Sequence, residues 1–264
     1  MKRLTVLMLV LALLITGVFT GCSKPAAKEE TDMAYIKNKG TLVVGITDFA
    51  PMDYKDASGN WIGFDADMAK AFGESLGVKV EFVEIDWDNK IMELDSKAID
   101  CVWNGMTLTD EVTAAMACSN AYCDNAQVVV VPAAKADKYK DKESVSALNF
   151  AVESGSAGEA VVKDLGYTST AVQSQSAALM EVAAGTADAC VIDLLMAGAM
   201  IGEGTSYPQL TYTVALNSEK YGVGFRKGSD MAAELNTFFT KAYADKSMLN
   251  VAKTYGVQES IIAQ

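Results

Sequence analysis

The sequence predicts an α/β fold of two lobes, each a mostly parallel sheet flanked by helices, joined by two hinge crossings. Three observations carry this expectation. Apolar strand patterns alternate with amphipathic helical ones along most of the chain, which implies parallel sheets with crossover connections. A stretch from Ala98 to Val112 reads as a buried strand over 99–103 that stops at Asn104-Gly105 and runs into a Thr-rich turn. A second copy of the same unit lies further on: residues 93–102 and 181–190 each give a helix tail, a small-residue turn, an Asp (Asp100, Asp188) and a strand containing Cys. The second strand ends at Ile192-Asp193. Ligands of open α/β sheets sit past the carboxyl ends of strands. Two such halves facing each other enclose a cleft between their strand ends.

The N-terminus reads as a targeting segment rather than as part of the fold. Lys2 and Arg3 precede an apolar run over 4–15, too short to span a bilayer comfortably, and Gly21-Cys22 follows. This resembles a bacterial lipoprotein signal (1–21) with lipid attached to Cys22. Residues 22–32 read as a polar, flexible tether.

The elements then follow in order. Residues 40–46 are the first buried strand, 47–54 a turn containing Phe49, and 55–60 a polar hairpin tip. A helix starts near Gly63, with Asp65 as its N-cap, and shows Met68, Ala69, Phe72 and Leu76 on one face before Gly77 ends it. Val78, Val80 and Phe82 alternate as a strand leading to Trp87, and Ile91, Met92 and Leu94 mark the next helix. Residues 125–132, with four consecutive valines, read as one long buried strand. The charged run 135–142 is a solvated face. Residues 149–153 begin the second half, Ser154 to Glu159 turn into a helix, and 168–173 and 177–184 are a strand and a helix. Strands at 210–216 and 221–225 and an amphipathic helix beginning near Met231 complete the chain. The crossings fall near 127–131 and 216–223. Lobe 1 is assigned to 33–128 plus 222–264 and lobe 2 to 129–221.

Composition narrows the function. The 264 residues carry a formal charge of -12, which opposes nucleic-acid binding, since that relies on Lys and Arg neutralising phosphates. There is no histidine, which excludes Ser-His-Asp and Cys-His catalysis and histidine metal sites. No cofactor or metal is expected. Of the five cysteines, Cys101 and Cys190 sit in core strands. Cys118 and Cys123 flank a loop where either a disulfide or two thiols fits.

Five segments together resemble the polar amino-acid binding proteins of ABC importers, solute-binding protein family 3, with the type II periplasmic-binding-protein fold. They are Gly40-Thr41-Leu42-Val43-Val44-Gly45, the Gly63-to-Ala69 helix start, Gly105-Met106-Thr107-Leu108-Thr109-Asp110-Glu111, Asp188-to-Asp193, and Tyr221-Gly222-Val223-Gly224-Phe225. The resemblance implies that Phe49 is an aromatic lid and Trp87 a second aromatic wall. It implies that Gly105 and Thr107 hold the ligand carboxylate, that Ser156 is a helix-start contact, and that Asp193 pairs with the ligand ammonium. It also implies permease subunits as partners, a monomer, and lipid anchoring at the outer face of the cell membrane.

The chain departs from that pattern in three places. Val112 stands where the family has the Arg whose planar fork grips the α-carboxylate. Glu153 replaces a neutral or basic residue, and Asn104 a smaller one. Two readings of the ligand stay open: a cationic or amine-bearing molecule between aromatic faces and carboxylates, or an ordinary amino acid held by Asn104, Thr107 and backbone N–H groups. Two alternative functions accompany them: a cyclohexadienyl-dehydratase-like enzyme using Glu153 or Asp193 for proton transfer, and a sensor module acting in trans.

Overall fold

A computed structural model describes residues 30–264. The signal, the lipidation of Cys22 and most of the tether lie outside the described residues. The tether's expected end at residue 32 is overtaken by helix α1 (Asp32–Lys39), whose N-cap Thr31 accepts the Ala34 N–H. Among the described residues no helix is long and apolar enough to cross a membrane.

The chain continues through β1 (Thr41–Ile46), the short hairpin β2 (Tyr54–Lys55) and β3 (Trp61–Ile62), α2 (Phe64–Leu76), β4 (Lys79–Glu84), α3 (Lys90–Asp95), β5 (Cys101–Thr107) and α4 (Asp110–Ala115). It then forms β6 (Ala117–Cys118), β7 (Cys123–Asn125), β8 (Gln127–Pro132), α5 (Lys142–Val145), β9 (Asn149–Glu153), α6 (Ala157–Asp164), β10 (Thr168–Val172) and α7 (Gln175–Ala184). Last come β11 (Ala189–Asp193), α8 (Leu194–Met200), β12 (Leu210–Ala215), β13 (Glu219–Phe225), α9 (Met231–Ala244) and α10 (Ser247–Thr254).

Two sheets organise these elements, ordered β4-β1-β5-β13-β6 (with β7 also on β13) and β10-β9-β11-β8-β12. In each, three strands run parallel, β4, β1 and β5 in one and β10, β9 and β11 in the other. In each, the strand beside the crossings, β13 or β8, runs antiparallel to the parallel set. The repeated unit extends to atomic detail. Asp100 donates its N–H to Val43 O at 2.7 Å, and its Oδ2 accepts the Val43 N–H at 2.8 Å. Asp188 makes the same exchange with Asn149, at 3.1 Å each way. A carboxylate before each central strand thus ties it to its parallel neighbour.

Three expectations change. The long strand over 125–132 is two strands: β7 ends in the first sheet at Asn125 and β8 begins in the second at Gln127, so the chain crosses at Ala126. It returns between Ala215 and Glu219. The expected lobe borders at 128/129 and 221/222 fall inside β8 and β13, just past the crossings. Continuous apolarity hid the break, because both strands are buried. Second, β5 does not stop at Asn104-Gly105 but runs on to Thr107, with Gly105 at φ +55° inside it and the β5–β13 register shifting between Gly222 and Gly224. Third, Asp65 is not the α2 N-cap; Gly63 holds that place, and Asp65 is fully buried with its carboxylate turned elsewhere. Cys118 and Cys123, whose pairing the sequence left open, sit on β6 and β7 as free thiols.

Candidate functional site

The ends of β5 and β11 meet across a cavity of about 710 Å³ lined by residues of both sheets. Phe49, Trp87, Asn104, Gly105, Thr107, Val112, Glu153, Ser156 and Asp193 all border it, so the structure brings together every ligand-contact residue proposed from sequence. What their polar atoms do differs from one to the next.

Phe49 lies in the turn after β1, where its N–H donates to Asp53 O at 2.7 Å, and its ring meets Tyr221 edge-on at 6.3 Å between centroids. Trp87 is buried in a cluster with Met106 and Val112. Each ring is therefore both wall and core, anchored on one side by apolar packing.

Behind the β5 end lies a buried acidic network. Asn104 Oδ1 accepts the Thr47 N–H and hydroxyl at 3.1 and 2.8 Å, and its amide donates to Thr47 O and Asp53 Oδ2 at 3.0 and 2.8 Å. That side chain is fully used away from the cavity and is not open to a carboxylate. The Gly105 N–H, expected to meet the ligand, donates to Asp65 Oδ2 at 2.6 Å, and Tyr122 donates to the same oxygen at 2.7 Å. Burial raises the Asp65 carboxyl to about 7. It also pushes Asp53 well above its ordinary range, with the charge of Asp65 adding to the effect. A Cβ on Gly105 would stand 2.4 Å from Phe49 Cε1, so only glycine allows this approach.

The second half offers Ser156 as N-cap of α6, its Oγ accepting the Glu159 N–H at 3.0 Å. Asp193 ends β11 inside a ring of donors. Tyr221 donates its hydroxyl at 2.6 Å and Gln127 its amide at 3.0 Å, and Asn125 and Gln175 add short amide contacts. Three of these donors converge on Oδ1, while Oδ2 accepts the Gln175 amide alone. Thr107 donates to Glu219 Oε1 at 2.9 Å, and Asn125 and Gln127 reach that same oxygen at 2.7 and 2.8 Å. Burial, and then the charge of Glu219, lift Asp193 to about 8. This network binds the ends of β5, β7 and β13 to those of β8 and β11, at the two crossings.

Glu153 is the exception. It is 3% exposed at the end of β9, and its Oε1 has no hydrogen-bond partner. Burial, reinforced by Asp193, raises its carboxyl to about 8. A buried polar atom without a partner carries a large desolvation cost. The residue lines the cavity, with this oxygen held just beneath its surface.

Sequence reasoning missed Asp65, Asn125, Gln127, Gln175, Tyr221, Glu219 and Lys90 as site-forming residues. Lys90 had a readable signal: it lies three residues after Trp87 and four before Leu94, on the apolar stripe of its helix. For the others the signal was absent, since they act through partners distant in sequence.

The family model described as "Bacterial extracellular solute-binding proteins, family 3" matches residues 42–258. The "Arginine-binding extracellular protein ArtP" of Bacillus subtilis is 26% identical over 237 residues, covering 87% of this chain and 89% of that protein. A mutant of ArgBP from T. maritima superposes with a TM-score of 0.79 at 30% identity, over 85% of this chain and 98% of that one. The ancestral amino acid-binding protein AncCDT-1, described as a precursor of cyclohexadienyl dehydratase, gives a TM-score of 0.77 at 30% identity, over 84% and 98%.

Proposed function

Because the chain belongs to family 3 of the bacterial extracellular solute-binding proteins, we propose that it is the solute-binding component of an ABC importer, taking an amino acid or related amine-bearing molecule into the cleft between its two halves. Closure turns on the crossings at Ala126 and 216–218. Permease subunits receive the solute. A lipid on Cys22 holds the protein, a monomer, at the outer face of the membrane.

The observation that carries the reading is Glu153. A carboxyl oxygen that is buried, unpartnered and beside a cavity walled by Phe49 and Trp87 invites a positively charged group. A cation there stabilises the ionised carboxylate and removes the desolvation cost together. The arginine-binding relatives are consistent with a cationic solute. Titration calorimetry with matched sets tests this: an amino acid, the amine lacking its carboxylate, and the acid lacking its amine. The reading expects no binding by the acid. Binding by the acid alone overturns it.

A second reading has one observation in its favour. A carboxyl that stays protonated near neutral pH is a proton donor, and Glu153 is such a group within a cavity. An enzyme of the dehydratase type would consume its solute. Incubation with bound solutes followed by mass spectrometry separates the two, since a binder returns the solute unchanged.

A further inference from the structure

Lys90 opens α3 and is 8% exposed, an unusual burial for an ammonium. Its Nζ donates to Trp87 O at 3.2 Å and to Gly155 O at 2.9 Å, and lies 5.1 Å from the centroid of the Trp87 ring. An ammonium has three donors, and these two carbonyls occupy two of them. Lys90 takes part in none of the ion pairs found among the described residues. The carboxylates of Glu111, Asp88, Glu153 and Glu159 act on it from beyond ion-pair distance, and it borders the cavity.

The strongest charge acting on Lys90 is that of Glu111, the neighbour of Val112 in α4. The ammonium thus stands on the side of the cavity where Val112 leaves no positive group. The carbonyl of Gly155 holds it beside the first turn of α6, whose leading N–H groups have no acceptor within the helix and carry the positive end of its dipole. Ser156 and Ala157 of that turn border the cavity too. An ammonium and a helix start at one side, with the Glu153 residue also lining the cavity, complement a zwitterion.

We propose that Lys90 is a specificity-determining residue that grips the carboxylate of an α-amino acid in this cleft, taking over from the guanidinium that Val112 replaces. The solute is then an amino acid rather than a bare amine. This rests on the solute-binding reading above and narrows its ligand class.

The test is titration calorimetry on the full chain with three pairs: L-arginine and agmatine, L-lysine and cadaverine, L-histidine and histamine. The wild type binds at least one amino acid about 10-fold or more tighter than its amine. Lys90→Met weakens that amino acid by about 10- to 100-fold and leaves the amine within a few-fold. Lys90→Arg keeps the preference, and Val112→Arg in the Lys90→Met background restores it. Equal weakening of both members of a pair makes Lys90 only a tie between the halves and overturns the proposal. A wild type that prefers the amine overturns it while leaving the solute-binding reading intact. A wild type that binds no member of any pair ends both for these solutes. Lys90→Met also strands the carbonyls of Trp87 and Gly155, so its Tm is read beside its affinities. Should Lys90→Met fail to fold, the wild-type preference and the Lys90→Arg comparison still decide.

Discussion

Tyr221 donates its hydroxyl to Asp193 Oδ1 at 2.6 Å, joining β13 of the first sheet to the end of β11 in the second. Both residues are buried. The bond lies where the chain crosses between the sheets and ties them together there. Removing the hydroxyl leaves a buried carboxyl one donor short. Because Asp193 titrates near 8, Tyr221→Phe at neutral pH is expected to cost about 0.5–1.5 kcal/mol, the usual net worth of a hydrogen bond between uncharged groups. At about 2–4 °C per kcal/mol for a protein of this size, calorimetric melting should show a clear fall in Tm.

The buried carboxyls give a stability profile of defined sign. Glu153 and Asp193 titrate near 8 when folded, against ordinary values of 4.5 and 3.8. Between those limits the folded chain holds more protons than the unfolded one. Stability from these groups is therefore fully present at low pH and is lost as pH rises toward 8. The ligand-free protein should melt at a higher temperature at pH 5 than at pH 8, and Glu153→Gln should flatten the slope. A Tm that climbs steadily from pH 5 to 8 would contradict the assignment.

Binding carries the opposite dependence. A cationic group on Glu153 requires the ionised carboxylate, so it displaces a proton at neutral pH. Calorimetry in two buffers of different ionisation enthalpy should detect proton release on solute binding at pH 7. Glu153→Gln should abolish the part due to this residue and weaken a cationic solute by about 10-fold or more.

Gly105 has no substitute. At φ +55°, with a Cβ falling 2.4 Å from Phe49 Cε1, Gly105→Ala combines backbone strain with displacement of the aromatic wall. We expect about 1–3 kcal/mol of lost stability and weaker solute binding, readable by urea unfolding and calorimetry.

Asp65 holds Gly105 from behind. Asp65→Ala strands the Gly105 N–H and the Tyr122 hydroxyl in the core. The expected loss is about 2–5 kcal/mol, visible in denaturant unfolding.

Much of this architecture was legible in the chain. The duplicated Asp-strand unit predicted two halves with facing strand ends, and the Asp100–Val43 and Asp188–Asn149 exchanges supply its physical reason. Phe49, Trp87, Thr107, Glu153 and Asp193 were placed at one cleft by strand-end position and resemblance, and they border one cavity. The less legible part is where polar atoms point. Asp65 beside a helix start looks like a cap, yet two donors distant in sequence claim it. Asn104 looks like a ligand contact, yet Thr47 and Asp53 use its whole amide. Local propensity cannot anticipate partners brought in by tertiary packing. Lys90 differs: its place on the apolar stripe of Trp87 and Leu94 was visible, but a lysine is ordinarily assigned to solvent.

The most direct measurement is mass spectrometry of the full chain purified without refolding, first native and then after denaturation. The expected result is a complex heavier than the chain by one small solute, which denaturation releases and whose composition includes a basic nitrogen. Release of a solute with no amine or guanidine, such as a sugar or a simple carboxylic acid, would contradict the account.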